Sequence, residues 1–247
     1  MDTRAHTRLD PGAATIANRW IARQWSHFSG HTVELRLPGE DFDWLSAKCP
    51  ELGVKIAGAW LGLRALGAVE WAEERSGFGA ALVARYTGGP LEVQVRTDAF
   101  HDSPGLLRRV TLLNTGPESV IIDAVILDAL SLRRDGVTVH TEQFTCADLA
   151  REWQTSERAA AIMRKQHGLF LVLEGGGTFA LFSPEADRCT VLHEEQRAIA
   201  PGQRWTLPDC ALAPFSGPVE EAVSKVLGHL LQQVRNLKKW EVEQSVL

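Results

Sequence analysis

Residues 32–37 alternate without a break, with Val33, Leu35 and Leu37 on one side and Thr32, Glu34 and Arg36 on the other. Successive side chains of an extended chain point to opposite faces, so this period of two predicts a strand with one face toward a core. Leu91, Val93 and Val95 alternate with Glu92, Gln94 and Arg96 in the same way, and looser versions occupy residues 80–87, 168–173, 178–183 and 204–213. Between them stand Gly88-Gly89-Pro90, Ser103-Pro104-Gly105, Gly175-Gly176-Gly177 and Pro201-Gly202, which mark turns. Short strands at regular turn spacing predict a sandwich or barrel.

Residues 108–130 read as two apolar runs about Asn114-Thr115-Gly116-Pro117, which predicts a β-hairpin. The second run is apolar almost throughout, interrupted by Asp123 and Asp128. Such a strand is covered on both faces, so it implies layered sheets rather than one open sheet. The two aspartates are read as marking a strand edge or bend, not a catalytic pair.

The pattern changes near the end. Val219, Ala222, Val223, Val226, Leu227, Leu230, Leu231, Val234 and Leu237 recur at steps of three and four. This spacing predicts one amphipathic helix over 218–240, about 30 Å long, with Pro218 in its first turn and Lys238 and Lys239 at its negative end. Its apolar stripe needs a surface, and the protein's own sheet is the expected one. The organisation is then a polar leader over 1–13, a β domain over 14–217, the helix over 218–240 and a tail over 241–247.

Composition narrows the classes. Of 247 residues, 45% are hydrophobic and 23% charged, the profile of a folded globular chain. A net charge of −5 speaks against nucleic acid as a partner. No run of 18 apolar residues and no signal-like N-terminus is present, so no membrane association and a cytoplasmic location are expected. Cys49, Cys146, Cys189 and Cys210 are too widely spaced for a metal knuckle and suit buried, reduced thiols. No metal or other cofactor is expected: His27 and His31 are four apart but in a loop-like stretch, and Gly175-Gly176-Gly177 lacks the Lys-Ser/Thr of a phosphate loop.

Four stretches carry a family resemblance: Ile16-Ala17-Asn18-Arg19-Trp20-Ile21, the strand–bend–strand run over 95–132 with its Asn-Thr-Gly, the late segment 192–212 containing Ala200-Pro201-Gly202-Gln203, and the helix from Pro218. Over residues 14 to 240 the chain resembles the N-terminal β-supersandwich of glycoside hydrolase family thirty-six, the α-galactosidase type, whose fold is akin to galactose mutarotase. The fold class expected is therefore all-β, an antiparallel two-sheet supersandwich with one C-terminal amphipathic helix. In that family the nucleophile and acid/base carboxylates lie on a following barrel, which would begin where this chain ends at Leu247. The resemblance thus implies no catalytic residue here.

What remains is sugar binding without chemistry, which needs an aromatic platform flanked by polar groups. Eight tryptophans stand against one tyrosine. Trp20, Trp25 and Trp153, with His27, His31 and His101, combine rings and hydrogen-bonding groups in loop-like sequence and are the candidate carbohydrate-binding residues; Trp44, Trp60, Trp71 and Trp205 read as core or turn packing. The function expected is non-catalytic, binding a carbohydrate or assembling with a glycoside hydrolase subunit, with self-association open. An epimerase or mutarotase is the alternative. It would use a histidine–carboxylate pair, drawn from His101 with Asp102, His140 with Glu142, or His193 with Glu194 and Glu195. A protein-interaction scaffold built on the sheet edge and the C-terminal helix is a further one.

Overall fold

Alternation in β9 sets the frame of the molecule, because Leu91, Val93 and Val95 are buried while Gln94 and Arg96 face outward on the same strand, Leu91–Phe100. The computed structural model describes residues 4–37, 42–48, 51–131, 133, 137–145, 158–173, 178–183 and 188–245. In chain order the strands are β1 (His6–Leu9), β2 (Ala13–Ala17), β3 (Ala22–Ser26), β4 (Thr32–Arg36), β5 (Gly53–Ile56), β6 (Ala59–Gly62), β7 (Ala68–Ser76), β8 (Gly79–Gly88) and β9. They continue as β10 (Leu106–Asn114), β11 (Val120–Ser131), β12 (Val137–Thr145), β13 (Arg158–Arg164), β14 (His167–Leu173), β15 (Thr178–Ser183), β16 (Arg188–His193), β17 (Arg197–Ile199), β18 (Arg204–Thr206) and β19 (Cys210–Ser216). Helix α1 (Val219–Ala222) runs through a π-turn, Val223–Leu227, into α2 (Gly228–Ser245).

These strands form an all-β sandwich. A nine-stranded sheet has the order β12-β13-β14-β19-β10-β9-β8-β7, with β18 also paired to β10. Facing it are a six-stranded sheet, β15-β16-β11-β5-β6 with β17 paired to β11, and a four-stranded sheet, β1-β2-β3-β4. The layer expected as one sheet is thus divided in two. Segment 42–48 straps the divided layer together: Trp44 N–H donates to Leu35 O, Ser46 N–H to Ser131 O, and Arg133 N–H to Trp44 O. The polar leader also holds a strand, β1, paired along its length with β2.

The hairpin expected over 108–130 does not form. β10 pairs with β9, β18 and β19, whereas β11 pairs with β5, β16 and β17 in the opposite layer. Asn114-Thr115-Gly116-Pro117 carries the chain from one layer to the other, so both apolar runs are explained by facing across the core rather than by pairing. Coverage of β11 on both faces holds for residues 127–130, while Ile121 is half exposed. Its register shifts near both aspartates, between Ile122 and Ala124 against β5 and between Ile126 and Asp128 against β16.

Two asparagines hold the ends of the central strands. Asn18 is buried, and its amide donates to the carbonyls of Phe100, Ser103 and Gly105, while its oxygen accepts from the N–H groups of Trp20 and Ile21. At the other end, the Asn114 amide donates to Glu118 O and Ile199 O at 2.7 and 2.8 Å, and its side-chain oxygen accepts from Gly116 N–H. A buried amide with both ends bonded removes the desolvation penalty of the turn carbonyls it serves.

The main core lies between the layers, with Ile16, Leu35, Val54, Leu82, Val95, Leu112, Ile122 and Leu171 among its members. A second core lies outside the large sheet. There the helical segment buries Val219, Ala222, Leu227, Leu230, Leu231, Val234 and Leu237 against Phe100, Leu107, Phe170, Ala213 and Phe215. The apolar stripe of the C-terminal helix is therefore seated on the protein's own sheet, and the helix extends to Ser245. No helix of the described residues is long and apolar enough to cross a membrane.

Candidate functional site

The sequence-derived sugar-binding candidates separate in space. Trp25 is on β3, not in a loop, and is 1% exposed, with its indole N–H donating to Glu51 Oε1 at 2.5 Å. Its ring meets Trp71 at 5.9 Å in the interior, so it offers no stacking face to solvent. His27 and His31 flank the β3–β4 turn, where His27 O accepts from Trp71 Nε1–H at 2.9 Å. His31 is held below the ordinary imidazole range because burial disfavours its charge, an effect Glu51 opposes. Trp20 lies at the other end of β3, beside the Asn18 anchor, with the Arg19 guanidinium 3.8 Å from its ring centre. His101 is near that end too, and its Nδ1 accepts from Ala5 N–H at 3.1 Å. Trp153 lies outside the described residues, as do the side chains of His140 and Glu142 and the residues Cys49, Cys146 and 175–177.

Of the other tryptophans, Trp44 and Trp205 are buried and Trp71 is packed against the core, whereas Trp60 is 47% exposed on the edge strand β6. Cys189 and Cys210 are buried thiols. His193 is buried, with Nε2 3.3 Å from Glu195 Oε2 and its ring 5.8 Å from Trp205. Burial lowers its pKa, and Glu195 works the other way. The described residues contain no group of three or more His, Cys, Asp and Glu side chains placed to hold a metal ion.

One cluster of charges is interior. Arg23 donates to both oxygens of Asp128, at 2.7 and 2.6 Å, and to Glu51 Oε2 at 2.6 Å. Arg108, from the large sheet, pairs with Glu51 Oε1 at 2.7 Å and donates through Nε to Leu127 O. Thr32 Oγ1 accepts from Arg23 and donates to Glu51. Burial would lift Asp128, but Arg23 and Arg108 reverse this and hold it below the usual carboxylate range. Two guanidinium groups and two carboxylates balance where the four-, six- and nine-stranded sheets meet. This cluster is closed to solvent, and it fastens the divided layer instead of presenting a reactive group.

An open site lies on the other side of the large sheet. A pocket of about 580 Å³ is lined by Gln94 and Arg96 of β9, Arg109 and Thr111 of β10, Arg204 and Thr206 of β18, Leu207, Asp209, and Lys238, Glu241 and Val242 of α2. The floor follows from register, because Arg96 stands opposite Arg109, Gln94 opposite Thr111, and Thr111 opposite Thr206. Like charges directly opposed on one face repel. Here carboxylates offset them: Arg96 pairs with Asp98 at 2.8 Å and with Glu74, and Arg109 with Asp209 at 3.1 Å and Glu241 at 3.0 Å. Burial works against both guanidinium charges, yet these partners raise both pKa values above the ordinary one. Lys238 reaches Asp209 at 2.9 Å, which ties the far part of α2 to the sheet and forms one wall.

None of the five described candidate residues lines this pocket. Its own residues were visible in the sequence only as the polar half of alternating strands, Gln94 and Arg96 among them. That signal ordinarily means a solvated sheet face, and only the placement of α2 over part of that face turns it into a concavity.

No protein-family model matches the chain, and no curated protein matches it by sequence. Solved structures match by fold. A putative aldose 1-epimerase from Klebsiella pneumoniae superposes with a TM-score of 0.58 at 10% identity, over 87% of this chain and 83% of that one. The family thirty-six alpha-galactosidase AgaB from Geobacillus stearothermophilus gives 0.54 at 8% identity, over 86% of this chain and 41% of that one. The galactosidase domain of the alpha-galactosidase-sucrose kinase AgaSK gives 0.53 at 11% identity, over 85% and 42%. The chain thus spans about two fifths of these galactosidases, 41% and 42%, and shares with them and with the epimerase-like protein the galactose mutarotase-like β-sandwich fold.

Proposed function

We propose that this protein is a carbohydrate-binding supersandwich that acts without chemistry, and that the sugar sits in the pocket between α2 and the open face of the nine-stranded sheet. The observation that carries this reading is the pocket itself. Its volume, about 580 Å³, falls within the range of small-molecule sites and accommodates a mono- or disaccharide. Its floor presents Gln94, Thr111 and Thr206, whose amide and hydroxyls can both donate and accept, as sugar hydroxyls require. The fold shared with galactosidases and an epimerase-like protein agrees with a carbohydrate ligand but names none. A thermal-shift series against mono- and oligosaccharides tests the reading. A ligand at a hundredfold excess over its Kd should stabilise the protein by about 2.7 kcal/mol, and Thr206→Val should remove the rise. No shift with any sugar would overturn it.

An epimerase is the second reading, favoured by the 83% coverage of the epimerase-like chain and by the His193–Glu195 pair. It expects faster anomeric exchange of an aldose in the presence of protein and slower exchange on His193→Ala. Exchange at the buffer rate would remove it. Assembly with a glycoside hydrolase subunit would have to use a surface other than the apolar stripe of α2, because that stripe is buried on the large sheet.

A further inference from the structure

The pocket holds four cationic side chains, Arg96, Arg109, Arg204 and Lys238, and two carboxylates, Asp209 and Glu241. Three of the cations are engaged. Arg96 has Asp98 and Glu74 beyond the lining, Arg109 has Asp209 and Glu241, and Lys238 has Asp209. Arg204 has no carboxylate within 4 Å among the described residues, and its side chain is exposed on the pocket rim. Its outward direction is set by the strand, because Trp205 points into the core and the pairing of Arg204 with Leu113 and of Thr206 with Thr111 fixes which residues of β18 face outward.

An arginine left without a partner beside hydroxyl and amide groups is a site for a planar or tetrahedral oxyanion, which its fork of N–H groups binds in two-point fashion. We infer that the pocket selects a sugar carrying an anionic group, a uronate carboxylate or a sugar phosphate, with the anion on Arg204 and the ring hydroxyls on Thr206, Thr111 and Gln94. This inference rests on the carbohydrate-binding reading above and adds the ligand's charge to it. Neutral sugars would leave Arg204 unmatched and bind more weakly.

Titration calorimetry on the full chain with galactose, galacturonate, galactose 6-phosphate and inorganic phosphate separates the possibilities. At least a tenfold tighter binding of one anionic sugar than of galactose, lost on Arg204→Gln while Lys225→Gln on the exposed helix surface has no effect, is the expected result. Whichever of the uronate and the phosphate ester binds identifies the anion. Equal affinity for galactose and both anionic sugars, unchanged by Arg204→Gln, would overturn the inference and leave carbohydrate binding standing. Inorganic phosphate binding as tightly as the sugar phosphate would overturn it as well, by showing an anion site with no use for the ring. No binding by any of the four sets the inference aside together with the reading on which it rests. Arg204 makes no ion pair among the described residues, so an unchanged circular dichroism spectrum and melting temperature of Arg204→Gln are expected controls.

Discussion

Arg23 of β3 and Asp128 of β11 face each other through two charge-assisted hydrogen bonds, 2.7 and 2.6 Å, between strands of two sheets that share no ladder. The pair takes the place of backbone pairing at that junction. Glu51 and Arg108 complete the set, so each buried charge has an opposite one in contact and the group is neutral as a whole. Such clusters add little net stability over well-packed apolar residues, but removing one member leaves a charge with neither water nor partner.

Arg23→Met should therefore destabilise the protein by about 3–5 kcal/mol, read as a lower urea midpoint by tryptophan fluorescence. Arg23→Met combined with Asp128→Leu should recover part of that loss, since the stranded carboxylate is gone. If the double variant is as unstable as the sum of the two single ones, the residues are not coupled.

Asn18 gives a second expectation. Asn18→Ala strips one hydrogen-bond partner from each of three carbonyls and two N–H groups at the β2–β3 and β9–β10 turns, and should cost roughly 2 kcal/mol. Asn18→Asp keeps the acceptor for Trp20 and Ile21 but turns an oxygen toward the carbonyls of Phe100, Ser103 and Gly105, so it should be no better than alanine. Wild-type stability of Asn18→Asp would show that the amide donors matter little.

The period of two located β9, where burial of one face over 91–96 leaves a direct mark on residue order, and the three-and-four period located the helical end for the same reason. β8 and β14 were located by apolar residues between turns, since most of β8 and nearly all of β14 are buried on both faces, and in β4 a register shift buries Thr32 where the alternation puts it outside. Pairing leaves no such mark. The runs around Asn114 satisfy a hairpin and a cross-layer turn equally well, since in both cases each run buries an apolar face; only the partners of β10 and β11 decide. Arg23, Glu51, Arg108 and Asp128 lie far apart in the chain and are individually ordinary strand or loop residues, so their convergence could not be read. Trp25 shows the limit from the other side. Ser26 and His27 after it give a polar, loop-like sequence, yet the ring is buried because Glu51 meets its N–H inside the sandwich.

Gly168 fixes the seat of the helix. A Cβ there would overlap the ring of Phe215, which stacks on Phe170 with centres 4.1 Å apart beneath the helical segment. Gly168→Ala should push Phe215 toward the helix and destabilise the protein by about 1–3 kcal/mol, the range for overpacked cores. Hydrogen exchange should quicken first in α2 rather than in the sheet. Uniform exchange in the variant and the wild type would mean that the ring moves at no expense.

Acid should weaken the fold in two stages. Burial lowers the pKa of His31 and of His193 in the folded protein, while in the unfolded chain both return to about 6.5. Below that value the unfolded state binds protons that the folded state resists, so the slope of stability with pH is positive there. The stability associated with these neutral imidazoles is thus present in full above pH about 6.5 and is lost as pH falls toward their folded values. Asp128 behaves likewise at lower pH: its folded pKa is depressed by Arg23 and Arg108, so its part is intact above the unfolded carboxylate value of about 3.9 and is lost below it. Urea unfolding at pH 8, 7, 6, 5, 4 and 3 should show a plateau, a first decline below about pH 6.5 and a second below about pH 3.9. His31→Gln with His193→Gln should flatten the first decline without removing the later loss near pH 4. A wild-type stability that stays level from pH 8 to 5 would mean that both rings accept protons in place, through Glu51 and Glu195, as readily as in the unfolded chain.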